Sequence, residues 1–252
     1  MMLGDIYTLW LREMLRFVRA RSRIITSLAM PFFWLVFIGV GFGSSFKLPG
    51  IDYIDFLAPG IVAMVMLFTS IFSGISIIWD RQFGFLKEIL VAPVSRTSIV
   101  LGKTVGGATV ALLSGLIMFV IAALLGVIKL TTGIIALPIA IVFMFLTAVV
   151  FVSMGLTIAS RMKSMEGFQM IMSFIVMPIF FLSGALFPIQ NTPQWMQIAS
   201  RFDPLSYGVD GLRVAFVNTG VLPLWLDLIG LAFFSTAFVV IGAYMFKKST
   251  SL

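Results

Sequence analysis

The chain has 252 residues, 60% of them hydrophobic and 11% charged, with a mean hydropathy of +1.13 and a formal net charge of +7. Such a composition excludes a soluble globular domain and identifies an integral membrane protein. Having neither cysteine nor histidine, the chain also lacks disulfides, thiolate nucleophiles, thiolate metal sites and the commonest general base.

The leading segment, residues 1–22, reads as one amphipathic helix. Leu3, Ile6, Tyr7, Trp10, Met14, Phe17 and Val18 fall on one face, with Asp5, Arg12, Glu13, Arg16 and Arg19 opposite. A basic amphipathic helix carrying a tryptophan is expected to lie in the cytoplasmic membrane interface. The apolar run after it is longer than the core of a cleaved signal peptide, which argues against cleavage.

Six apolar runs follow, at roughly Ile24 to Gly43, Leu57 to Trp79, Val105 to Ile128, Ile134 to Ala159, Phe168 to Phe187 and Leu222 to Phe246. Each approaches or exceeds the ~20 residues a helix needs to cross the hydrocarbon core. Lipid offers no partner to open backbone groups, so the expected fold is all-α, with six transmembrane helices in one domain spanning residues 1–252. Thirteen of the seventeen basic residues fall ahead of the first run, in the second and fourth connections and at the C-terminal end. By the positive-inside rule these segments, and so both termini, are expected to be cytoplasmic.

Between the second and third runs lies a charged insert, D-R-Q-F-G-F-L-K-E-I-L-V-A-P-V-S-R-T-S-I-V-L-G-K from Asp80 to Lys103. Phe83, Leu86, Ile89 and Leu90 recur at helical spacing, with Arg81, Gln82, Lys87 and Glu88 on the other face. This predicts a helix over residues 80–94, closed near Pro93, with Ser95 capping the next helix. An apolar stripe on so short a connection suggests a surface that another subunit grips. The outer segment, residues 188–218, predicts two short helices. Thr192-Pro193 reads as a helix start ahead of a Trp195, Ile198, Ala199 and Phe202 face. After Asp203-Pro204, a second helix carries Leu205, Val209, Leu212 and Phe216, with Asp210 and Arg213 three apart. Two half-length helices at the outer leaflet suggest an external gate.

Catalytic chemistry finds little support. Leu101-Gly102-Lys103-Thr104 resembles the end of a phosphate-binding loop, but position 97 is Thr where that loop needs Gly, so any ATP is expected on another chain. Asp227 is the lone carboxylate inside a run and is expected to snorkel to the interface beside Trp225. Gly39 with Gly43, and Gly102 with Gly106, are candidate close-packing pairs for a dimer face.

Together, the insert and the outer segment resemble permease subunits of type-2 ABC exporters, including the daunorubicin-resistance type. In the insert the resemblance rests on Asp80-Arg81, Gly84, Leu86, Leu90, Pro93, Ser95, Arg96, Ile99, Gly102 and Lys103. Farther along it rests on Phe187-Pro188, Pro193, Trp195, Pro204-Leu205-Ser206-Tyr207, Asp210, Leu212 and Arg213. Gln82, Phe85, Lys87 and Asp203 depart from residues common in that family, and F-G-F-L-K-E looks most like its drug-resistance branch. The resemblance implies a coupling helix carrying Asp80, Arg81, Phe83, Gly84, Leu86, Glu88, Leu90 and Pro93, seated on a separate ATPase subunit that holds ATP and Mg. It implies a homodimer or heterodimer of permeases in the cell membrane, no cofactor on this chain and no enzyme activity of its own. It also implies export, while the outer helix pair offers Pro193, Trp195, Pro204, Tyr207, Asp210 and Arg213 as outer gate residues and the aromatic and Met content suits an apolar or amphipathic solute such as a drug, lipid or lipid-linked glycan. Phe33, Phe37, Phe180 and Phe181 are candidate cavity-lining residues. An ion-coupled secondary transporter is the alternative, and it predicts midplane charges that the runs lack.

Overall fold

The computed structural model describes residues 2–43, 50–83, 94–128, 133, 136–162 and 164–249. Among these the secondary structure is helical, with no strand. Helix α1 spans Met2–Arg19, and α2 spans Arg21–Trp34, continuing as a π-helix over Leu35–Val40 and a last turn at Gly41–Gly43. Next come α3 (Tyr53–Ser73), α4 (Ile75–Gln82), α5 (Arg96–Leu124), α6 (Ala136–Arg161) and α7 (Met165–Leu182). The outer pair is α8 (Gln194–Ser200) and α9 (Pro204–Val217), before the final α10 (Leu224–Ser249). Five helical stretches are long and apolar enough to cross a membrane, and a sixth is counted if the bent α1–α2 pair is one span. Several of their ends differ from the apolar runs. α5 begins at Arg96 because Ser95 accepts the Ser98 amide at 3.0 Å, so the capping residue sets the start ahead of the apolar stretch. α7 ends at Leu182, because the chain turns there at Gly184 with φ +74°.

The core sits around α3. Every residue from Phe56 to Leu67 is buried, as expected of a helix that is apolar on all sides and surrounded by others. Two glycine contacts let its neighbours close in. A Cβ on Gly60 would meet the Ala185 carbonyl, and one on Gly155 would stand 2.5 Å from the Ile71 oxygen. Gly102 and Gly106, read as a candidate dimer face, instead seat α1: added Cβ atoms would meet Leu9 at 2.8 Å and Glu13 at 3.0 Å. This contact fixes the rotation of α1. Ile6, Leu9, Trp10, Glu13 and Phe17 turn toward α5, while Leu3, Tyr7, Leu11, Leu15 and Val18 are exposed. Ile6, Trp10 and Phe17 of the expected apolar face thus pack inward, and Arg12 and Glu13 of the expected polar face turn inward with them, because those charges find partners inside the bundle.

Candidate functional site

The first candidate site is the root of the insert. Asp80, in the last turn of α4, is 2% exposed and held by Lys103 Nζ at 2.6 Å and by Arg12 at 2.8 Å. Lys103 is equally buried, donates to Ser76 Oγ at 3.0 Å and stands 4.0 Å from Glu13. A buried charge is tolerable only when paired and hydrogen-bonded, so four charges from α1, α4 and α5 stabilise one another here. Asp80 and Ser76 lie one helical turn apart and so face Lys103 together. That spacing was the available signal, and reading each charge by its own helical face missed it.

Two arginines flank the insert. Arg81 donates to the Ser160 and Met162 carbonyls, each at 2.9 Å, and Arg96 donates to the Lys247 carbonyl at 2.8 Å. These carbonyls end α6 and α10, where helical partners run out and the helix dipole favours a cation. Both connections of the insert are thus tied to the ends of other spans. Phe83 is 81% exposed just beyond this root. The remaining coupling candidates, Gly84, Leu86, Glu88, Leu90 and Pro93, lie outside the described residues.

The second candidate site is at the opposite end, around α9. Leu205, Val209, Leu212 and Phe216 are wholly buried, as their spacing predicts. Asp203 caps α9 by accepting the Leu205 amide at 2.9 Å, and Pro204 occupies its first turn, where no amide is needed. Asp210 accepts the amides of Val221 and Leu222 at 2.9 Å, which ties α9 to the connection before α10. Arg213 stands 4.0 Å from Asp210, donates to the Gly184 carbonyl at 2.9 Å and lies over the Phe56 ring at 3.8 Å. Tyr207 donates to the Arg201 carbonyl at 2.7 Å. Asp210, Arg213 and Tyr207 line a cavity of about 510 Å³ between the outer helices and the α7 end. Pro193 precedes α8, but Thr192 does not cap that helix, since its hydroxyl donates back to the Ile189 carbonyl at 2.7 Å. Trp195, Ile198 and Phe202 share a face of α8 and its C-terminal turn that points away from the bundle.

Burial pushes the Asp203 carboxyl up to about 8, so it is neutral at pH 7, while Arg213, lowered to about 10, stays cationic. An acid whose folded pKa lies above its unfolded value of 3.8 binds a proton that the unfolded chain has released. Stability is therefore expected to fall as pH rises from about 4 to about 8 and then level off. In Asp203→Asn, which keeps the cap, the slope should become shallower in thermal unfolding scans across this range. An unchanged slope would assign it to another group.

Other candidates are placed differently than expected. Phe33, Phe37 and Phe181 are exposed, Phe180 is buried edge-on against Trp34, and none of the four lines the cavity at the outer helices or a second cavity between α1 and α2. Side chains of this kind on α2 and α7 form an outward apolar face. Asp227 does not snorkel: it is fully buried beside Asp210. A Cβ on Gly230, one turn on from Asp227, would stand 2.8 Å from the Tyr207 ring, so the glycine lets α10 lie close to α9.

Comparison with known proteins bears on this arrangement. The ABC-2 type transporter family pattern matches residues 4–217, from α1 through the end of α9. The chain belongs to the ABC-2 type transporter family. It is 32% identical over 208 residues to nodulation protein J of Rhizobium leguminosarum bv. trifolii, covering 81% of this chain and 78% of that one. To nodulation protein J of Rhizobium meliloti it is 30% identical over 223 residues, covering 87% and 84%. The putative transport permease ycf38 of Cyanophora paradoxa is 25% identical over 261 residues, covering 97% and 88%. As a member of the ABC-2 family, this chain is a multi-pass membrane permease and not a catalytic subunit, and the family implies an ABC ATPase partner.

Proposed function

We propose that this ABC-2 protein is the permease subunit of an ATP-driven exporter, and that the insert after Asp80 is its coupling helix on a separate ATPase. The observation that carries the proposal is the root of the insert. A buried ion cluster joins it to α1, and Arg81 and Arg96 join it to the ends of α6 and α10. A mere connection needs no such anchoring, whereas a lever that passes a push from a partner into several spans does.

In this reading the basic end and both termini face the cytoplasm. α1 lies in that interface, with Leu3, Tyr7, Leu11, Leu15 and Val18 toward lipid. ATP and Mg sit on the partner. α8 and α9 close the outer mouth, with Asp210 and Arg213 holding the closed arrangement. Two copies, or this chain with a second permease, complete the pathway, and the exported solute is apolar or amphipathic: a drug, a lipid or a lipid-linked glycan.

The test is capture of the co-expressed candidate ATPase by this chain, comparing the native sequence with a Phe83→Asp, Leu86→Asp variant. Capture by the native chain that is lost in the variant is the expected result. No capture by the native chain would overturn the coupling role. Buried Asp227 beside Asp210 is the one observation favouring an ion-coupled transporter, and attention would then move to it.

A further inference from the structure

At the basic end, α1 and α2 meet at 70°, and a cavity of about 530 Å³ fills the angle, closed behind by α3, α4 and α5. Phe17, Phe68, Phe72 and Trp79 give it an apolar wall, which suits a hydrocarbon chain. The polar groups differ along it. Thr69, also on the wall, has a buried hydroxyl oxygen with no hydrogen-bond partner, while Glu13 and Arg16 come from α1. Arg16 is 41% exposed and 3.7 Å from Glu13, but Glu13 also faces Lys103 at 4.0 Å. One carboxylate is thus shared between two cations. Arg19 and Arg21 are exposed on the following turn. Positive charge therefore exceeds negative at the α1 side of an apolar cavity.

We propose that this cavity binds an acidic phospholipid, with an acyl chain between α2 and α3 and the phosphate held by Arg16, flanked by Arg19 and Arg21. The proposal rests on α1 lying along the membrane surface, as in the proposed function. Charge complementarity decides for an acidic headgroup over a zwitterionic one, because Glu13, the one acid among the described residues lining the cavity, is shared between Arg16 and Lys103. Basic residues at the membrane surface attract acidic lipid, and the wall of Phe17, Phe68, Phe72 and Trp79 suits the inserted acyl chain.

The full-length chain, reconstituted in vesicles of equal parts phosphatidylcholine and phosphatidylglycerol, is extracted and its retained lipid read by native mass spectrometry. The native chain is expected to retain phosphatidylglycerol over phosphatidylcholine by about tenfold. Arg16→Gln should bring that preference close to unity, whereas Arg201→Gln, at the far end, should leave it unchanged. Val110→Trp, which fills the cavity wall while keeping Arg16, should lower the total lipid retained. Equal retention of the two lipids by the native chain, or a preference that survives Arg16→Gln, overturns the proposal. Because no ATPase takes part, failure here and failure of the ATPase capture are separate results.

Discussion

Asp80→Ala is expected to cost about 3–5 kcal/mol, because it leaves Lys103 buried without its closest counter-charge. Glu13, at 4.0 Å, is too far from Lys103 to replace a 2.6 Å contact, and Arg12 also loses its 2.8 Å contact with Asp80. The loss should appear as a lower unfolding temperature of the purified chain in detergent and a lower yield from the membrane. A second change discriminates the cause. Lys103→Met removes the stranded cation, so Asp80→Ala, Lys103→Met should recover much of the loss, as apolar replacements of buried ion pairs often do. If the double variant is as unstable as the sum of the singles, the two charges are not coupled and the root is held by packing alone.

The second large effect is expected at the arginines flanking the insert. A cation donating to a helix-end carbonyl contributes roughly 1.5–3 kcal/mol, and Arg81 makes two such bonds. Arg81→Ala and Arg96→Ala should therefore leave the insert able to bind its partner but unable to move α6 and α10 with it. The chain contains no cysteine, so a single Trp195→Cys reports on the outer end without background. In the assembled complex, ATP with vanadate is expected to change the rate at which this cysteine reacts with an impermeant maleimide. In either arginine variant that change should shrink about tenfold, while capture of the ATPase persists. Loss of capture together with the response would mean that the arginines only build the insert's surface.

Helix α1 shows where reading the sequence reaches its limit. Its amphipathic period is plain, and a helix spans Met2–Arg19, but its rotation is not a property of its own pattern. Gly102 and Gly106 on α5 accept Leu9 and Glu13, and that contact turns Arg12 and Glu13 inward. A wheel drawn for α1 alone ranks Glu13 as polar and sends it outward, since it cannot include Lys103, far along the chain on another helix. Asp227 went wrong for the same reason. Proximity to the outer end of α10 argued for the interface, but α9 packs across it. On α9 itself the period-3.6 stripe was legible, because it depends on neighbours within one or two turns, whereas Asp203-Pro204, read only as a break, turns out to cap and start the helix.

Composition and run length determined on their own that this is a helical membrane protein, since lipid leaves a spanning backbone no choice but to pair within its own helix. Local spacing likewise determined the Ser95 cap and the buried face of α9. The tertiary structure decided which charges meet: Asp80 with Lys103 and Arg12, Arg81 with the end of α6, Arg96 with the end of α10, and Asp210 with the connection before α10. A buried charge takes its meaning from its partner, and the partners here are brought together by helix packing across stretches of chain that no local pattern connects.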